Sequence, residues 1–109
     1  MRPRLASSVL VGALIRQAET EGGFAAVLAR GDADAGSILV VLTERGGNGC
    51  VYERLLQPDG AYAWNEAPAG SETLADLVAR RRRFDPDLWV LELDVPSRQR
   101  FADEMKAFD

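Results

Sequence analysis

Apolar and polar residues alternate along the chain with two periods, one helical and one extended. Between Ser8 and Glu21 the apolar positions Leu10, Val11, Leu14, Ile15 and Ala18 recur at i, i+3 and i+4, the spacing of a half-buried helix. Ser7 or Ser8 is placed to cap its start and Gly22-Gly23 to end it. The β-branched Val9 and Val11, with the helix-weakening Gly12 beside them, leave a strand over Leu5 to Val11 as the alternative. Phe24 to Arg30 then reads as a strand and Gly31 to Gly36 as a turn. Ser37 to Glu44 sets Ile38, Val40 and Leu42 on one side against Leu39 and Val41 on the other. Two apolar faces predict a strand at the covered centre of a sheet.

Gly46-Gly47-Asn48-Gly49 is a hairpin signal, because several of its positions adopt positive φ without strain. Cys50 to Leu56 is the return strand, Pro58-Asp59-Gly60 a tight turn, and Ala61 to Asn65 a fourth strand with Tyr62 and Trp64 on one face. Consecutive strands joined by short loops predict an antiparallel meander. After Ala67-Pro68-Ala69-Gly70, Ser71 and Glu72 start a helix with Leu74, Leu77 and Val78 on its apolar side. Asp85 precedes Pro86 and is pushed out of the helical region, so that helix ends near Phe84. Leu88 to Leu93 is the fifth strand, and Pro96-Ser97 opens a last helix with Phe101, Met105 and Phe108 in line. The expectation is an α+β fold in the order α-β-β-β-β-α-β-α, one domain over residues 1–109. Its mainly antiparallel sheet has about five strands, helices lie largely on one face, and the fifth strand enters beside a central one after a helix crossover.

Composition narrows what such a domain can do. Thirteen basic residues against seventeen acidic give a net charge of -4, which disfavours a general binder of nucleic acid or anionic membrane. There is no histidine, which removes the usual near-neutral general base, the Ser-His and Cys-His nucleophile pairs and the commonest transition-metal ligand. Cys50 is the single cysteine, so no intramolecular disulfide forms and a reducing, cytoplasmic setting is expected. The apolar run after Arg2 and Arg4 is short and stops at Arg16, unlike a signal peptide, and no run reaches the ~18 residues of a membrane span.

The candidate chemistry gathers around Arg80-Arg81-Arg82-Arg83. Four cations in the last turn of a helix are favoured by its partial negative charge. Arg80 and Arg83, with Asp85, Asp87 and Glu92 beyond them, are the candidate ligand-binding residues, suited to a phosphorylated or acidic small molecule if an arginine pair faces it. Glu92 is expected to need a partner such as Arg54, Arg80 or Arg83 if the second face of the sheet is covered. A metal site is not expected, because Asp85 and Asp87 stand about 20 Å from Asp94 along an extended strand at ~3.3 Å per residue. Asp32-Ala33-Asp34 lacks the glycine and glutamate of a calcium loop and reads as a polar turn. No serine sits in a nucleophile motif, so no catalytic residue and no cofactor is assigned. Tyr62 and Trp64 are the candidate interface, an aromatic patch for dimerisation if their face is open.

Leu14-Ile15-Arg16, Glu21-Gly22-Gly23-Phe24-Ala25, Arg30-Gly31-Asp32, Ala35-Gly36-Ser37-Ile38-Leu39-Val40 and above all Arg83-Phe84-Asp85-Pro86-Asp87-Leu88-Trp89-Val90-Leu91-Glu92 resemble a small alphaproteobacterial family of unknown function. The resemblance covers most of the chain and implies a bacterial, intracellular, single-domain protein. It carries over no catalytic residue. The expected function is therefore a non-catalytic interaction module, a homodimer through a strand edge or the Tyr62/Trp64 face, open to an unidentified protein partner. The alternative is a ligand-binding protein or histidine-independent enzyme using Arg80, Arg83 and Glu92.

Overall fold

A computed structural model describes residues 5–67 and 72–108, with Asn48 described through its backbone. Its elements are α1 (Ser7–Thr20), β1 (Phe24–Ala29), β2 (Ile38–Glu44), β3 (Gly47–Leu56), β4 (Tyr62–Glu66), α2 (Leu74–Phe84), β5 (Trp89–Val95) and α3 (Arg98–Met105). They form the expected α+β arrangement, a five-stranded, mostly antiparallel sheet in the order β1-β5-β2-β3-β4. β2, apolar on both sides, and β5, whose second side carries Val90 but also Glu92 and Asp94, lie side by side at its centre. They run parallel, from Ile38 beside Trp89 to Glu44 beside Val95. A parallel pair cannot be closed by a hairpin, and the return through β3, β4 and α2 supplies the crossover.

The meander is shorter than expected. It holds for β2, β3 and β4, but β1 pairs with β5 and not with β2. The pairing is non-local: β5 lies between β1 and β2 and pairs with both. β1 becomes an edge strand as a result, and β4 is the other edge.

Helices cover both faces, unequally. α1 and α3 lie on one, where Leu10, Leu14, Ile38, Val40, Leu42, Leu91, Leu93, Phe101 and Met105 form the main core. Burying each such side chain is worth roughly 1.5–3 kcal/mol in transfer free energy. α2 is the exception to the shared face. It crosses the other side, where Val78 meets Ala29, Leu39, Leu88 and Val90, and none of its own residues is fully buried.

Helix starts follow the polar residues only in part. Ser97 caps α3 by accepting from the Arg100 N–H, and Thr73 caps α2 by accepting from the Asp76 N–H. Ser71, the expected cap of α2, lies outside the described residues. Neither Ser7 nor Ser8 caps α1, which begins after Ala6 without a side-chain cap. Ser7 is instead buried and donates its hydroxyl to the Gly36 carbonyl at 2.7 Å, tying the helix to the β1–β2 loop. Helix, not strand, is the outcome for residues 7–12.

Candidate functional site

The arginine end of α2 is tied into the fold at several points. Arg80 forms an ion pair with Glu72 at 2.6 Å, which holds the Glu72 carboxyl below its usual range. Arg81 pairs with Glu53 of β3. Arg82 donates to the carbonyls of Pro86 at 3.0 Å and Arg30 at 3.3 Å, and Arg83 is exposed. Asp85 caps the helix end, accepting from the Asp87 N–H at 3.2 Å, and Asp87 is exposed.

Glu92 belongs to the sheet and not to the helix end. It is half-buried on β5, between Ala26 of β1 and Val41 of β2, on the face that α2 crosses. Arg80 and Arg81 direct their ion pairs to Glu72 and Glu53. Arg54 is out of its reach, because it pairs across from Trp64 on the opposite face. The five candidate ligand residues are thus spread between a helix end and the middle of a strand. Among the described residues, no group of three or more His, Cys, Asp or Glu side chains is placed to hold a metal ion.

The block around Asp85 is architectural. The Asp87 carbonyl accepts from the Asp32 N–H at 3.0 Å, and the Trp89 indole N–H donates to the Asp32 carbonyl at 2.7 Å. Gly31 and Gly36 press on the same Asp87 carbonyl so closely that a Cβ at either position would collide with it. The Asp32 carboxylate caps its own turn through the N–H groups of Asp34 and Ala35. The Arg30-Gly31-Asp32, Gly36 and Asp85-to-Trp89 stretches, distant in sequence, therefore meet at one end of the sheet.

Between α2 and the sheet lies a cleft of about 740 Å³, floored by Val41 and Val51 and overhung by Leu74 and Leu77. It falls in the size range of ligand sites. Its Arg80 and Arg81 already hold Glu72 and Glu53. Cys50 lines the same cleft. Burial pushes its thiol up despite the nearby Arg98, and burial also raises the adjacent Tyr52 hydroxyl to about 12. Neither group is activated as a nucleophile or base near neutral pH.

Trp64 and Tyr62 do not form an open aromatic face. Trp64 is 8% exposed within the main core, and Tyr62 is half-buried beneath the Arg54 guanidinium, 4.3 Å from the ring centre. An open apolar surface lies at the other edge, besides the exposed Leu55 and Leu56 of β3, Phe84 of α2, Val9 of α1 and Leu5. Phe24 is 75% exposed, and Val27 and Leu28 are each 45% exposed, all on β1. Sequence periodicity missed this strand as a site because its edge position depends on the insertion of β5. The available signal was the uncharged run Phe24-Ala25-Ala26-Val27-Leu28-Ala29 between two glycine turns.

Fold and side chains together define a small α+β protein whose charged groups brace its own elements. The chain belongs to the DUF1491 family, described as a protein of unknown function, whose model matches residues 5–103. Solved relatives share the fold. A crystal structure of a DUF1491 protein from Caulobacter crescentus CB15 is 38% identical, covers 89% of this chain and 94% of its own, and superposes with a TM-score of 0.73. An NMR structure of a DUF1491 protein from the same organism is 33% identical over 92% of this chain and 94% of that one, with a TM-score of 0.78. The solution structure of Atu0922 from A. tumefaciens is 36% identical over 87% of this chain and 89% of that chain, with a TM-score of 0.72. These alphaproteobacterial neighbours bear out the family resemblance read from the sequence. No curated protein matches the chain.

Proposed function

We propose that the protein is a non-catalytic, cytoplasmic interaction module that self-associates as a homodimer. The observation that carries this reading is the apolar edge strand β1, with Phe24, Val27 and Leu28 all open to solvent. An exposed apolar edge presents unpaired backbone N–H and C=O groups and is costly to leave uncovered. The absence of histidine and the raised Cys50 and Tyr52 groups support a non-catalytic role. No helix among the described residues is long and apolar enough to cross a membrane. Light scattering after gel filtration tests the reading. A mass of two chains at tens of micromolar is expected, and a clean monomer overturns it.

A further inference from the structure

We infer that two copies join strand to strand, with β1 of each paired antiparallel about a two-fold axis at Ala26, so that the two sheets continue into one. This rests on the self-association proposed above and names its surface and register.

The sheet has two edges, and their chemistry differs. β1 is the one strand of the five without a charged residue, whereas β4 ends in Asn65 and Glu66, both exposed. Exposed charge on an edge strand is a device that blocks edge pairing. The chain carries a net charge of -4, so two copies repel at a distance and approach best where neither presents charge.

Symmetry then limits the register. A two-fold axis perpendicular to a continuous sheet keeps each face on its own side and opposes the axial residue to its own copy. Centring on Ala26 opposes Ala26 to itself, Ala25 to Val27, and Phe24 to Leu28. The smallest side chain lies on the axis, and the two largest exposed ones meet on either side of it. Centring on Ala25 instead leaves Val27 opposite Gly23, and centring on Val27 sets Phe24 against Arg30. Leu28 is available for this contact because the bulge between Val27 and Ala29 leaves it without an opposite residue in β5. A contact this short falls below the ~1,200 Å² of a standard interface, so a weak, exchanging dimer is the expected form.

Directly opposed residues of antiparallel strands have Cα atoms ~4.5–5.5 Å apart, within the ~4.4–6.8 Å spanned by a disulfide. Ala26→Cys in a Cys50→Ser background should therefore form a disulfide-linked dimer under mild oxidation. Asn65→Cys, on the β4 edge of the same background, should stay unlinked. Light scattering of the Cys50→Ser parent separates the two readings. A dimeric parent whose Ala26→Cys form links no faster than Asn65→Cys overturns the β1 pairing and leaves self-association standing. A monomeric parent removes both.

Discussion

The two edges of the sheet are built from strands of similar length and opposite character. β4 turns its aromatic residue inward. Trp64 joins the main core and Tyr62 lies under Arg54, so the edge left facing water is the polar pair Asn65 and Glu66. β1 does the reverse, keeping Ala29 buried and setting Phe24 out. One edge spends its large side chains on the fold, and the other leaves them free for contact. Apolar composition alone does not mark an interface, since the aromatic strand is the structural one and the alanine-rich strand the open one.

That contrast is broken first by stability. Trp64→Ala should cost about 3–5 kcal/mol in urea unfolding, as expected for deleting a large buried aromatic side chain. Phe24→Ala should stay within about 0.5 kcal/mol, as expected for an exposed site. Equal costs would erase the distinction between the edges. Association should divide in the opposite sense. Val27→Lys places a cation on β1 and should weaken the dimer tenfold or more, roughly 1.4 kcal/mol per tenfold, in sedimentation equilibrium. Glu66→Lys on β4 should leave the dissociation constant unchanged.

The smallest expected effect is on pH dependence. Asp94, across from Phe24, is held below the usual carboxylate range first by the Gly46 N–H and then by the Thr43 hydroxyl, both at 2.8 Å. The folded state thus favours the charged carboxylate. Its contribution is complete above the ordinary aspartate value of about 3.9 and is lost as pH falls through the lower folded value. Melting curves of wild type and Asp94→Asn should differ most near neutrality and converge in acid. A gap that widens in acid would contradict the assignment.

Much of the fold is legible in local signals. The proline after Asp85 ends α2, Ser97 starts α3, and the two-faced apolar pattern of Ser37 to Glu44 marks a central strand. What escapes such reading is decided by distant partners. Ser7 looks like a cap and instead binds the Gly36 carbonyl, while Arg81 finds Glu53 across the cleft. Arg80 likewise pairs with Glu72, a partner eight residues back that the helix-end preference of the arginines does not point to. The β1 surface follows from where β5 inserts, a non-local pairing that no window of the sequence contains.

Amide hydrogen exchange at low and high protein concentration tests the difference between the edges most directly. The β1 amides, Phe24–Ala29, should become more protected as concentration rises, while those of β4, Tyr62–Glu66, should not change. Protection that rises on β4 while β1 stays constant would contradict the account.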